Sequence, residues 1–338
     1  MPPSLTIIMP CASLDAKAHR CLQALLLEMR AEDELILVLD GSVTDEVLDE
    51  RIQVHSLARR QGPAAARNFG ASLAHGDVLL FVDADVVVHP GTGDQVRTFF
   101  SEDRGEALFG SYDDAPWEPD FISQFRNLQH HYVHCTNAGS AHTFWAGCGA
   151  IKRTAFAQVG GFDESFQRPA VEDIELGMRL SHAGHRIILD PSLQSKHLKR
   201  WSLLPMWRND LLCRALPWSR LILNSGQMPS GLNTDGRARI AVAAQALAVL
   251  CLALSPFLPG LLWGVLALEM TVAICHAPFL GFLARKRGLP MAVLSVPLIW
   301  MYVLISGLGF AMAQVERWLT SKRGEPPVSA VAMEADVS

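Results

Sequence analysis

GDVLLFVDADVVVH, Gly76 to His89, holds an apolar run, Val78 to Val82, that ends in two carboxylates one residue apart. These are Asp83 and Asp85, and three more apolar residues, Val86 to Val88, follow them. Set between Gly76 and Pro90, a run this short and this apolar is expected to be a fully buried strand. Its two aspartates then stand where a central strand gives way to a loop, the edge at which open α/β sheets bind ligands. An Asp-x-Asp pair there suits a hard divalent cation that also holds phosphate oxygens. The same residues also suit an Asx-type turn that does no more than close a strand.

The neighbouring segments decide between these readings. Leu5–Met9 is expected to be a strand stopped by Pro10, which has no N–H for a ladder. Residues 15–29 carry Leu22, Leu25, Leu26 and Met29 at helical spacing. Leu35–Leu39 is all apolar, hence a strand buried on both faces, and it runs into Asp40-Gly41-Ser42. Ile52–Leu57 is a third expected strand. An Ala-rich helix follows over 64–74, with Pro63 in its first turn and Gly76 as its stop. A helix over 91–101 and a strand over 107–112 complete the pattern. Strands alternating with helices predict a mostly parallel, doubly wound α/β sheet. Asp40 and the pair Asp83/Asp85 then lie at carboxyl ends on one edge, where they can converge on a single ligand.

Composition bounds the class. Half of the 338 residues are hydrophobic and the net charge is only −5, which argues against nucleic acid as a partner. Seven scattered cysteines with no CxxC pair give no zinc or redox signature and fit a reducing compartment. The start, MPPSLTIIMP, has neither a basic segment nor a long apolar core, so no signal peptide is expected. The first domain, residues 1–200, is therefore expected to stay in the cytoplasm.

Six landmarks in order resemble the family-2 glycosyltransferases of the GT-A fold. They are the strand-ending Pro10; LDGSVTD with Asp40; GPAAARNFG with Gly62, Arg67, Asn68 and Gly70; GDVLLFVDADV; GGFDE at 160–164; and the Glu172-Asp173 pair of EDIELGMRL. The resemblance covers roughly residues 5–200. It departs from the family pattern in two places: Cys11, Ala12 and Ser13 stand where an Asn often follows the proline, and Leu39 replaces the first of the usual paired Asp before Gly-Ser.

The resemblance implies an inverting, metal-dependent transfer of a sugar from a nucleoside diphosphate sugar, a UDP-sugar by preference. Departure of the diphosphate develops negative charge that a cation must offset, and the acceptor hydroxyl must lose a proton to a carboxylate. In the family pattern Asp173 is the base and Glu172 places it. Asp85 is the metal ligand for Mn2+ or Mg2+, Asp83 meets the ribose or a metal-bound water, and Asp40 meets the nucleobase near Pro10. Arg67 and Asn68 either bind phosphate or brace the helix start against the Asp83 loop. In GT-A enzymes a His near position 197 often completes the metal site, and neutral imidazole suits manganese. Arg200 is a candidate for the leaving diphosphate, and Trp201 for stacking on the acceptor sugar. Residues 113–146 are the least readable. His130 and His134 have the i, i+4 spacing of a metal pair but are expected to be surface or acceptor-cleft histidines. Phe144–Ile151, with Trp145, is expected to line the acceptor cleft.

The rest of the chain points to a membrane. Ser195 to Ile240 holds eight Lys or Arg against two Asp, interleaved with Trp201, Trp207 and Trp218. Residues 201–237 are expected to be basic amphipathic helices in the interface, attracted by anionic lipid. Residues 238–314 hold three stretches long enough to span: Ile240–Phe257, Leu261–Ala284 and Met291–Ala313. Arg237 and Arg239, and then Arg285 to Arg287, place the ends of a first hairpin in the cytoplasm. A third span puts the C-terminus outside, which Arg317, Lys322 and Arg323 oppose. Glu269, inside the second span, needs a partner or a function. Residues 315–338 are expected to be a disordered tail. The whole reads as an integral protein of a bacterial inner membrane, with a lipid-linked or glycan acceptor near the bilayer. A processive polysaccharide synthase is the alternative, opposed by His-x-x-Arg-Trp at 197–201 where the processive motif has Gln. A non-catalytic sugar-nucleotide-binding protein is the third reading.

Overall fold

The structure is a computed structural model that describes residues 2–226 and 231–323. Its contacts divide the chain after Arg200 into two compact units.

The first unit is a single sheet with helices on both faces. Its elements are β1 (Leu5–Cys11), α1 (Ala16–Glu28), β2 (Glu34–Asp40), β3 (Ile52–Leu57), α2 (Pro63–Leu73), β4 (Val78–Val82) and β5 (Val86–Val88). There follow α3 (Thr92–Ser101), β6 (Ala107–Tyr112), α4 (Phe121–Thr136), β7 (Gly139–Ala141), β8 (Cys148–Lys152), α5 (Arg153–Gln158), α6 (Glu172–His182) and β9 (Ile187–His197). The strand order is β3-β2-β1-β4-β8-β6-β9-β5, with β7 also on β9.

The half β3-β2-β1-β4 is parallel throughout. Beyond it the sheet is mixed: β8 runs antiparallel to β4 and β6, while β6 and β9 are parallel. The parallel expectation therefore describes the first half and the β6–β9 pair, and fails where β8, β5 and β7 pair. Strand order reverses beside β1, so the carboxyl ends of β1 and β4 flank a topological switch point. Alternation along the strands sorts the core. Leu5, Ile7 and Met9 pack with Cys21, Leu22 and Leu25 of α1 and Phe99 of α3. Ile36 and Val38 face Ala66 of α2 on the opposite side.

Several local expectations change. β1 does not stop at Pro10: it runs to Cys11 and keeps its register with β2. Pairing with β4 ends at Ile8–Phe81, so a residue without an N–H costs no ladder bond on that side. Gly76 does not cap α2, which ends at Leu73. It lies so close to β1 that a Cβ there would come 2.7 Å from Thr6 N. The last strand, read as 186–190, is β9, which runs on through Pro191 to His197.

The second unit opens with α7 (Leu203–Asn209), a π-helical turn (Asp210–Ala215) and α8 (Leu216–Ser225). A short 3-10 turn (Leu232–Thr234) precedes three long helices, α9 (Gly236–Leu254), α10 (Leu261–Arg287) and α11 (Leu289–Arg323). These three are long and apolar enough to cross a membrane. Part of the basic stretch packs against α11. Gly309 of α11 packs so closely on Ala215 that a Cβ would meet it at 2.6 Å. The buried Arg220 of α8 donates through Nε and Nη2 to both carboxylate oxygens of Glu316 at 2.9 Å. Residues 315–323, expected in the tail, continue α11; the rest of that tail lies outside the described residues. Glu269 is partnered: Gln245 of α9 donates to Oε1 at 3.1 Å and the Trp300 indole of α11 donates to Oε2.

Candidate active site

The aspartates of Gly76–His89 do not sit within one strand. The chain leaves the sheet at Asp83, turns through Ala84 and Asp85, and rejoins it as β5 on the far side, antiparallel to β9. The turn is tied at both ends. Asp83 N donates to Gly147 O at 3.2 Å, and Leu198 N donates to Asp85 O at 2.8 Å. Both carboxylates are half-buried on the carboxyl edge of the sheet.

Arg67 ties this turn to the start of α6. Its guanidinium is buried, and Nη2 donates to Asp83 Oδ1 at 2.7 Å while Nη1 donates to Glu172 Oε1 at 2.9 Å. Burial opposes its charge, but the two carboxylates keep it firmly protonated. Of the two roles open to Arg67, bracing is the one these bonds perform. Asn68 braces in the same way: it donates to Phe162 O and Glu164 Oε1, both at 2.9 Å, and accepts from Phe162 N at 2.8 Å. The GGFDE loop is thereby pinned, and a Cβ at Gly161, which has φ +73°, would meet Asn68 Oδ1 at 2.6 Å. Asp40, buried at the end of β2, accepts from the backbone N–H of Gln61 and Gly62 at 2.7 and 2.9 Å. It fixes the start of α2, and so the height at which Arg67 reaches the turn.

Asp173 lies in the first turn of α6. Its Oδ2 accepts from Ala146 N at 3.2 Å. Ala146 and Gly147 are adjacent, so neighbouring peptides hold Asp173 on one side and Asp83 on the other. Glu172 is buried and spans Arg67 and the Ala170 N–H, which donates to it at 2.8 Å. Burial, and then repulsion from Glu172, push the Asp173 carboxyl up to about 7, against the opposing pull of Arg67. That is the range in which a carboxylate serves best as a base at neutral pH. Burial also raises Asp83, against Arg67. Asp85 differs: burial works against its charge, but His197 and the more distant Lys199 and Lys17 hold it below the usual carboxylate range.

His197 closes the far side. It is the last residue of β9, buried, paired with Val86, and its Nε2 lies 3.6 Å from Asp85 Oδ2. That is too long for a direct hydrogen bond. It is within the span of two ligands on one ion, each at about 2.1 Å. The imidazole plane is set by Tyr112, stacked at 4.2 Å and 7°. Tyr112 was missed in the sequence, where it is only the last residue of an ordinary strand. Among the described residues no three His, Cys, Asp or Glu side chains close a metal cage. A carboxylate completed by substrate phosphates is the pattern magnesium-type sites use; Asp85 supplies the carboxylate, and His197 stands where a neutral imidazole could add a nitrogen ligand.

The remaining candidates are spread. Trp145 stands edge-on to Tyr112 at 4.8 Å and packs on His130 and His134 at 5.1 and 5.3 Å. Of the spaced pair in α4, His134 is buried and donates to Gly110 O, while His130 is half-buried against Tyr112 and Trp145; their neighbour His131 is buried and donates to Tyr112 O. Pro10 is buried inside β1. Arg200 is exposed, 3.8 Å from Asp120, and no contact brings it to the aspartate turn. Trp201 belongs to the second unit, where it is buried.

The sequence model of glycosyl transferase family 2 matches residues 6–160. A second, described as the N-terminal domain of galactosyltransferase, matches residues 126–199. An uncharacterized glycosyltransferase of Haemophilus influenzae is 35% identical over 92 residues, 25% of this chain and 36% of that one. The validoxylamine A glucosyltransferase of Streptomyces hygroscopicus is 27% identical over 237 residues, 57% of this chain and 51% of that one. The chain thus spans between about a third and about half the length of these relatives. A mannosyltransferase from Pyrobaculum calidifontis, solved with GDP-Man and Mn2+, superposes with a TM-score of 0.55 at 17% identity, over 92% of this chain and 88% of its own. That likeness is one of fold.

Proposed function

We propose, from the premise that residues 6–160 are a family 2 glycosyltransferase domain, that this chain moves a sugar from a nucleoside diphosphate sugar to an acceptor hydroxyl with inversion. The observation that carries the reading is the placement of Asp173. Its carboxyl is raised to about 7 and joined through the Ala146–Gly147 peptides to the turn of Asp83 and Asp85. The acceptor oxygen forms its bond to the anomeric carbon as its proton passes to Asp173. On the opposite side the bond to the diphosphate breaks, and its electron pair leaves with the phosphate oxygen. Glu172 and Arg67 hold the base in place. Asp40 and Pro10 are assigned to the nucleobase end and Asp83 to the ribose.

A divalent cation, Mn2+ or Mg2+, held by Asp85 and His197 would offset the charge that gathers on the departing diphosphate. The donor is proposed to be a UDP-sugar. Three helices able to span a bilayer support a membrane location, and the acceptor is proposed to be lipid-linked or membrane-proximal, with the first unit in the cytoplasm of a bacterial cell.

The test is a thermal-shift screen of UDP-, GDP- and dTDP-sugars against the full chain in detergent, with Mn2+ or with chelator. One nucleotide class should stabilise the protein, and only with the metal. No shift with any of them, or an equal shift in chelator, contradicts the reading.

A further inference from the structure

The connection between β6 and α4, residues 113–120, carries Trp117, 50% of which is exposed. An exposed indole on a loose loop would mean little, but this loop is fixed on both sides of it. Asp113 accepts from Ala115 N at 3.1 Å and pairs with Lys196 at 2.8 Å and His89 at 3.0 Å. Lys196 also donates to Ala115 O. Beyond the indole, Gln124 donates to Glu118 O at 2.7 Å, and Asp120 caps α4 through Ser123 N at 3.0 Å. The large apolar ring is thus held out in solvent by a built frame.

The indole is also clasped. The Arg20 guanidinium carbon lies 4.2 Å from its ring centroid. The next residue, Cys21, donates its thiol to Ala84 O at 3.3 Å, and Ala84 is the residue between Asp83 and Asp85. The loop itself starts on the same edge of the sheet as the aspartate turn: β4 and β6 both run antiparallel to β8, and Tyr112, just before Asp113, stacks on His197, which lies 3.6 Å from Asp85. The clasp joins α1, from the parallel half of the sheet, to a loop from the mixed half.

We propose that Trp117 is the plate on which the pyranose ring of the acceptor stacks, an inference that rests on the glycosyltransferase reading. A pyranose presents an apolar C–H face that an indole covers well, while its hydroxyls stay in water. Arg20 holds the ring from one side by a cation–π contact and so fixes its orientation before any sugar arrives. The donor is assigned to the strand ends of the parallel half, whereas Trp117 comes from the connection that follows β6 in the other half. The acceptor sugar is the one that belongs there.

The experiment is saturation-transfer NMR on the full chain in detergent, with Mg2+ and the nucleotide that stabilises it, using methyl glucoside, galactoside and mannoside as probes. Wild-type protein should saturate the ring protons of at least one glycoside. Trp117→Ala should weaken that probe by about fivefold or more, and Trp117→Phe by less, the loss expected for one aromatic stacking contact. Nucleotide affinity should be the same in all three proteins. Equal glycoside signals in wild type and Trp117→Ala, or none in the wild type, overturn the proposal. So does a loss confined to nucleotide-sugar binding, which would make Trp117 a donor contact, or to vesicle binding, which would make it a membrane anchor. Failure of the wild type to bind any nucleotide counts against the glycosyltransferase reading, while the glycoside arm still reads Trp117.

Discussion

Asp173 combines two properties that decide its use: it is half-buried beside Glu172, and its carboxyl accepts only from backbone N–H groups. As a base it acts deprotonated, so kcat/KM for transfer should fall as pH drops through about 7. Glu172→Gln removes the neighbouring negative charge and leaves Arg67 less neutralised, and both changes lower the Asp173 pKa. The acid limb should move to lower pH in that variant; a limb that moves up, or stays, contradicts the assignment of Asp173. Linkage gives a second expectation. A carboxyl whose folded pKa lies above its unfolded value of about 3.9 stabilises the fold least when ionised, so its contribution is lost between about pH 4 and pH 7. Asp173→Asn escapes that loss. Its Tm relative to wild type should rise between pH 5 and pH 8, as differential scanning calorimetry would read. At this scale the acidic residues were legible, because charge at a strand end or helix start leaves a mark in the sequence. Tyr112 left none: its value comes from the 7° stack on His197, which only the pairing of β6 with β9 creates.

The elements supply the precision. α6 can carry Asp173 to the Ala146 N–H only because Gly177, one turn on, lets the helix lie against the chain at 143–144. A Cβ at Gly177 would come within 2.2 Å of Phe144 N. Gly177→Ala should push α6 off this segment and cut kcat by about tenfold to a hundredfold, since small displacements of reacting groups are that costly. Nucleotide affinity should hold, because the turn of Asp83 and Asp85 is anchored separately by Gly147 O and Arg67. Steady-state kinetics beside nucleotide titration would separate the two; an unchanged kcat would mean that α6 does not depend on this contact. The strands and helices themselves were readable from apolar runs and Gly/Pro punctuation. What failed were boundaries set by tertiary pairing. Pro10 stays in β1 because pairing with β4 has already ended at Ile8, and β9 passes through Pro191 to put His197 beside Val86.

For the molecule as a whole, the three apolar helices were plain in the sequence because a run of uncharged residues needs no context. The bonds among them were not. Glu269 joins α9 and α11 through Gln245 and Trp300, an arrangement that periodicity does not reveal. Glu269→Gln keeps its oxygen for the Trp300 indole and, once the Gln245 amide turns over to accept from the new NH2, keeps a partner for each, so it should unfold near the wild-type temperature in detergent. Glu269→Ala strands the buried Gln245 amide and the Trp300 indole N–H and should cost about 1–3 kcal/mol. Equal stability of both variants would show that the tie contributes nothing. The first unit holds its candidate site residues by a different logic. Asp40, Arg67, Asp83 and Glu172 are linked from α2 outward, so the proposed donor edge and the proposed base share one frame. The most direct test of that frame is Asp173→Asn, with donor affinity and transfer rate measured on the same preparation. Donor affinity within about threefold of wild type and transfer slowed by about 10²-fold to 10⁴-fold is the expected result. Donor affinity lost in proportion to transfer, or transfer at the wild-type rate, would contradict it.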